Sequence, residues 1–424
     1  MAIRLPSFRS TQGFDRRVWT LFYGRIISSS GFSVVMPFLS IYLHNELGIP
    51  MTIVGMVLLI SAVVGALGQI VGGELADIVG RRKIMIIAMA ARSVMFLALA
   101  YVISGGADIF VITIMVSLSS LAGSFFEPAS NALIADVVEP KKRLEAYGLL
   151  RIGGNVGWTM GPLLGGLLSM ISYPFLFIIS AAATGTVSLI VFLFVAESIS
   201  SGARRQKLSL SDLGRLREDR RFLAFCVISI PLFMMFGQMA SNYAVFSTEI
   251  IGISNAEIGY IYALNGLMVV FMQFPISRSI SHLRMTKAMA AGSLLYAIGY
   301  GIVGLTPYIG MSLPHWLFSP GFLYLAVCMF IVTMGEMVVS PSSTTLVAKM
   351  SPESERGRYQ GMYGLVSNFG FSAGPFFGGL LFDAFTGQSI FLWAGIGSFG
   401  LMAALGFLGL GRRLPEKTDC VDTD

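Results

Sequence analysis

The sequence predicts an all-α membrane protein: twelve transmembrane helices in two pseudo-symmetric six-helix bundles. Three observations predict it. Of 424 residues, 55% are hydrophobic and only 12% are charged, about half the charged share of a soluble domain, which excludes a water-soluble enzyme. Apolar runs of the roughly 20 residues needed to cross a bilayer fill most of the chain. The second half of the sequence also repeats the first.

Reading the apolar runs against the charges places the segments at about 19–42, 52–74, 84–104, 108–131, 144–169, 173–195, 221–246, 254–277, 288–309, 319–345, 359–382 and 388–411. Helices are expected because hydrocarbon offers no partner for a backbone N–H or C=O, so each segment must bond within itself. The basic residues fall in alternate gaps. Arg4, Arg9, Arg16 and Arg17 precede the first segment, and Arg81, Arg82 and Lys83 follow the second; Lys141, Lys142 and Arg143 follow the fourth. Arg204, Arg205, Lys207, Arg215, Arg217, Arg220 and Arg221 lie around the centre. Arg278, Arg284 and Lys287, then Lys349, Arg356 and Arg358, then Arg412, Arg413 and Lys417 complete the set. The six opposite loops contain no Lys or Arg. This asymmetry predicts that the basic side, with both termini, faces the cytoplasm, and that the protein sits in the cell membrane. It also accounts for the net charge of +6 without a nucleic-acid partner.

Little else points to chemistry. Cys226 and Cys328 fall inside apolar segments and Cys420 in the tail, so no disulfide framework is expected. His44, His282 and His315 lie in or beside loops, no Cys/His spacing suits a metal, and no nucleotide-binding Gly-rich loop occurs. No enzyme activity and no cofactor are expected. The short basic N-terminus leads into a full-length apolar run without a small-residue cleavage pattern and reads as a retained arm.

The repeat fixes the domain plan. Shifted by 213 positions, 128–168 aligns with 341–381 without a gap, pairing Pro128 with Pro341, Arg143 with Arg356, Asn155 with Asn368, and Gly161-Pro162 with Gly374-Pro375. Shifted by 204, Gly48 meets Gly252, Gly55 meets Gly259 and Gln69 meets Gln273. The expected parts are a bundle over 1–197, a charged, Ser-rich linker over 198–219, a second bundle over 220–412 and a polar tail over 413–424. Parallel repeats enclosing a cleft are a transporter plan.

Two motifs carry a family resemblance. Gly73-Glu74-Leu75-Ala76-Asp77-Ile78-Val79-Gly80-Arg81-Arg82-Lys83 forms a tight turn after the second segment, where glycines let helix ends approach and Asp77 can pair with arginine. This resembles the loop signature of the major facilitator superfamily, and the resemblance extends over the whole chain. It implies that Asp77 and a second acid at the end of helix 4, Asp136, make charge contacts that hold the outward-open state and break during the cycle, with Gly73, Gly80, Arg81 and Arg82 as the rest of the gate. The second copy, Ser277 to Lys287, keeps its basic residues but has lost the Gly and Asp, which assigns the gate mainly to the first. Gly148, Gly157, Gly161, Pro162, Gly165 and Gly166 are similar to the antiporter pattern of that superfamily's drug-exporting branches. The pattern returns at Gly361, Gly370, Gly374, Pro375, Gly378 and Gly379. The plain alternative is a smooth face for close helix packing. One departure matters: the arginine those branches often carry in the first half of helix 4 is absent from Val111 to Ser120.

Ionisable groups at bilayer depth are functional candidates by default. They are Arg25, Arg92, Glu127, Arg151 and Glu336. At about 1.5 Å per residue the first four lie some 12–14 Å from the basic side and Glu336 about 20 Å from it. Glu127 and Arg151, at matching depth, are expected to pair, with Arg25 as a competitor. Glu336 has no cation at its depth. Desolvation favours the neutral form of such an acid, so Glu336 is the leading proton-coupling candidate and Glu127 the next. Thirty-two Phe and 24 Met suit an adaptable apolar cavity. By the resemblance, Phe32, Met36, Gln238, Asn242, Tyr243 and Phe246 are nominated to line it. The expected function is therefore secondary transport of a small molecule across a lipid bilayer, as proton-coupled multidrug-type efflux, with the proton as coupling ion and no obligatory protein partner. A symporter, a lysolipid or metabolite transporter, and a transporter-like sensor are the alternatives.

Overall fold

The computed structural model describes residues 14–198, 219–312, 317–352 and 355–420. The linker at 198–219 lies outside them except for its two end residues, as do Arg4, Arg9 and His315. Among the described residues there is no strand. Eleven helices are long and apolar enough to cross a membrane. In chain order these are α1 (Arg16–Glu46), α2 (Met51–Val79), α3 (Arg81–Ser104), α4 (Ile109–Val137), α6 (Tyr173–Phe194), α7 (Arg220–Ile250), α8 (Asn255–Ile280), α9 (Met285–Leu305), α10 (Phe322–Met350), α11 (Arg356–Ala384) and α12 (Ser389–Gly411). The twelfth is α5 (Arg143–Ser169), whose glycines, Asn155 and Arg151 dilute its apolar content.

Contacts divide the chain into two compact units, Met1–Val35 with Val63–Arg204 and Met36–Ala62 with Arg205–Asp424. Within the first, α1 packs on α5 and α6, and α3 on α4 and α6. Within the second, α7 packs on α11 and α12, and α9 on α10 and α12. The same neighbours thus recur in the same order, as a duplication requires. Detail recurs too: α1 ends in a π-helical turn at Tyr42–Glu46 and α7 ends in one at Phe246–Ile250, each at the same offset as the sequence repeat. The glycines after these turns, Gly48 and Gly252, have φ of 66° and 79°. An L side chain is strained there, which explains why both copies keep glycine.

Helix starts follow ordinary capping chemistry where the sequence supplies it. Asp108 accepts from Phe110 N at 2.7 Å, Asp219 from Phe222 N at 3.0 Å, and Ser254 with Glu257 closes a capping box on α8. Three helices have no such residue and take a carboxylate from far along the chain. Glu197 receives Arg81 N of α3 at 3.1 Å, Asp383 receives Met51 N and Thr52 N of α2 at 2.9 and 2.8 Å, and Asp419 receives Thr286 N of α9 at 2.8 Å. The last shows how the polar tail is attached. Glu416–Asp419 forms a short helix, α13, and Asp419 is wholly buried because its carboxylate also accepts from Arg284 Nε at 2.7 Å and Thr286 Oγ1 at 2.6 Å.

Candidate functional site

The turn between α2 and α3 is built around Arg81, only 3% exposed. Its guanidinium reaches Asp77 Oδ1 at 3.4 Å, pairs with Asp136 of α4 and donates to the Ala132 carbonyl. Asp136 also accepts from Ser198 Oγ at 2.8 Å. Arg82 turns the other way, donating to Phe192 O at 2.6 Å and lying over the Phe192 ring. Gly80 starts α3 at a φ of 113°, and a Cβ there would lie 2.6 Å from Glu197 Oε2. Gly73 has room around it. Three acids, Asp77 from α2, Asp136 from α4 and Glu197 from the segment just beyond α6, therefore converge on one helix start. Glu197 was not singled out from sequence, although its place at the end of an apolar run, next to a basic turn, was a usable signal.

The glycine pattern of α5 acts in packing. Gly157 and Gly161 let the α1 backbone approach, since added Cβ atoms would lie 2.7 Å from Ile26 O and 2.8 Å from Ser30 O, and Ser33 Oγ donates to Gly157 O at 3.1 Å. Pro162, Gly165 and Gly166 are buried, whereas Gly148 is exposed. The second copy does the same job between α11 and α7, where a Cβ on Gly370 would fall 2.8 Å from Ile230 O.

The intramembrane charges are arranged differently from the expectation. Glu127 pairs with Arg25 at 3.2 Å, not with Arg151, which is exposed and forms no ion pair among the described residues. Equal depth was the basis for the expected pair, but depth leaves the azimuth around α5 free. Arg92 is buried, with its guanidinium carbon 4.6 Å from the Phe32 ring centroid and 5.3 Å from that of Phe96. It has no acidic partner among the described residues.

Glu336 lies midway along α10. Its Oε2 accepts from Asn265 Nδ2 of α8 at 3.0 Å, and the same amide donates to Thr333 Oγ1 at 3.0 Å. No cation pairs with it among the described residues, and the buried rings of Tyr296 and Tyr300 on α9 lie within its electrostatic reach. Asn265 was missed from sequence; an amide in the middle of an apolar helix was the signal.

Four of the six residues nominated to line a cavity are interior. Gln238 Nε2 donates to Gly374 O at 2.8 Å, Asn242 Nδ2 to Gln238 Oε1 at 2.8 Å and Pro375 O at 3.3 Å, and Tyr243 OH to Leu325 O at 2.9 Å. Phe246 packs edge-on against Trp393. These side chains stitch α7 to its neighbours because an amide buried among helices must find carbonyls. Phe32 and Met36 are half-buried.

Comparison with known proteins agrees with this architecture. The sequence profile of the Major Facilitator Superfamily matches residues 21–318 and 232–421. The multidrug resistance protein MdtH of Klebsiella pneumoniae is 27% identical, over 88% of this chain and 89% of its own. A Na(+), Li(+), K(+)/H(+) antiporter of Planococcus maritimus is 25% identical, over 82% and 85%. The crystal structure of the nucleoside transporter NupG superposes with a TM-score of 0.76 at 14% identity, covering 94% of this chain and all of that one; at that identity it speaks to the fold. A profile matched along nearly the whole chain, on twelve helices with an internal repeat, places the protein in the Major Facilitator Superfamily of membrane transporters.

Proposed function

We propose that this transporter exports amphiphilic or lipophilic small molecules from the cell in exchange for protons, by alternating access, with both termini in the cytoplasm. The observation that carries the reading is Glu336: a carboxyl group in a membrane-spanning helix, held by the neutral amide of Asn265 and by no cation among the described residues. Such an acid is kept neutral by desolvation and gives up its proton only when water or a cationic cargo reaches it. Cargo arriving from inside displaces the proton, and reloading from the opposite face lets an inward gradient drive cargo outward. The likeness to a multidrug resistance protein and to a cation/proton antiporter supports exchange. The oxygens beside Glu336 and that second relative favour one other reading, in which Na(+) or K(+) is itself the cargo.

The test is transport in proteoliposomes with an imposed pH gradient. Glu336→Gln should abolish uphill, pH-driven movement of a lipophilic dye while the protein still folds and downhill exchange of neutral cargo persists. If the variant still concentrates dye, the proton site lies elsewhere, with Glu127 next to be tested. Proton-linked movement of Na(+) or K(+) without organic cargo would favour the second reading.

A further inference from the structure

Arg92 is a charge without a counter-charge. Its residue is 8% exposed, its Nε is buried without a hydrogen-bond partner, and no acid among the described residues pairs with its guanidinium. Glu127, the one acid at similar depth in the first unit, is engaged by Arg25 at 3.2 Å. Arg25 itself stands within electrostatic reach of Arg92 and repels it. Two guanidinium groups and one carboxylate leave this cluster with a single positive charge.

The surroundings fit the group without neutralising it. The guanidinium carbon lies over the rings of Phe32 and Phe96, a favourable cation–π arrangement, but rings use none of its N–H donors. On the α4 side Gly123 makes room: a Cβ there would fall 2.6 Å from Arg92 Cζ. Phe32 is half-buried and meets Trp158 of α5 edge-on at 5.9 Å, and that indole is 42% exposed. An apolar shelf thus runs from the surface of the unit to an arginine whose Nε donor has no partner among the described residues.

We propose that Arg92 is an anion-recognition point, taking the carboxylate of an amphiphilic cargo whose aromatic or aliphatic body lies along Phe32 and Trp158. A planar carboxylate matches the guanidinium fork with two parallel charge-assisted hydrogen bonds. One monoanion also cancels the single residual charge. A lipid phosphodiester has the same charge, so the test separates the two sources. The proposal takes its physiological meaning from the export reading above. Binding at equilibrium needs no proton gradient, so failure here leaves the Glu336 assignment standing, and failure of that assignment leaves this one.

The experiment titrates the full chain, in phosphatidylcholine nanodiscs, with pyrenebutyrate and with its neutral twin pyrenebutyramide. The carboxylate should bind about tenfold more tightly than the amide, the scale of a hydrogen bond to a charged group. Arg92→Gln should erase that preference, and Arg92→Lys should keep part of it. Gly123→Ala keeps the charge in the chain but displaces the guanidinium, so it should lose the preference even if Arg92→Gln fails to fold. No preference in the unsubstituted chain, or a preference that survives Gly123→Ala, would overturn the proposal. Loss of the preference when phosphatidylglycerol is added would assign the site to a lipid headgroup and overturn it as a cargo site.

Discussion

The basic turn of the first half and its copy in the second solve one problem with different residues. In each, a helix begins without a capping side chain of its own, at Arg81 in α3 and at Met285 in α9. In each, a carboxylate from beyond the sixth helix of that half supplies the cap, Glu197 in one and Asp419 in the other. The difference lies in the arginine. Arg81 has a side chain 4% exposed and is shared by Asp77 and Asp136, whereas the Arg284 side chain is 24% exposed and is held chiefly by Asp419. The acid that the second turn lost from its own loop has been replaced from the tail. One turn is therefore a network among helices of its unit, and the other a clasp between a loop and the chain's last helix.

Breaking the network should have the largest effect. Arg81→Gln leaves two carboxylates facing each other and should cost about 3–5 kcal/mol, the usual scale for removing one partner of a buried pair. Thermal melts in detergent measure it, and a loss below about 1 kcal/mol would mean that the network is decorative. The clasp comes next. Asp419→Asn should cost about 2 kcal/mol, less than the first because Arg284 is partly solvated and can turn to water. Truncation before Glu416 should reproduce that loss, and a tail that can be removed at no cost would contradict the docking.

Smaller again is the cap alone. Glu197 is exposed, so Glu197→Gln should cost about 1 kcal/mol or less, seen as fraying of the first turn of α3 in amide exchange rather than as a large shift in Tm. The smallest stability effect belongs to Asp77, 3.4 Å from Arg81 and 48% exposed. Asp77→Asn should barely move the melt, by about 0.5 kcal/mol. If the turn gates the transport cycle, the same substitution should change the distribution of spin-label distances between the basic ends of the two bundles. An unchanged distribution with full transport would reduce the turn to a structural joint.

The reach of the sequence differs between these features for a physical reason. Span number, the repeat and the asymmetry of positive charge are one-dimensional properties, set by how many apolar residues cross a bilayer and where charge can rest outside it. The glycine pairs Gly48 with Gly252 and Gly157 with Gly370 were legible as repeats, and the structure supplied their causes, a positive φ in one pair and a backbone approach in the other. The expected pair of Glu127 with Arg151 failed because depth is readable from residue counting while the direction a side chain leaves its helix is not. Gln238, Asn242 and Tyr243 were nominated for a cavity by the family's plan, and their N–H and O–H donors bond to carbonyls of α10 and α11.

By itself the sequence determined a twelve-helix transporter with a basic side, a duplicated unit and a short set of ionisable groups at depth. Only the tertiary structure decided the partner of each. Helix packing fixes the azimuth of a side chain, and azimuth gave Glu127 to Arg25, gave Glu336 an amide instead of a cation and left Arg92 between two rings. Capping at a distance was likewise invisible, because a carboxylate more than a hundred residues along the chain bears no local pattern that ties it to a helix start. Apolar length is local to the chain, while charge compensation depends on neighbours that the fold brings from elsewhere.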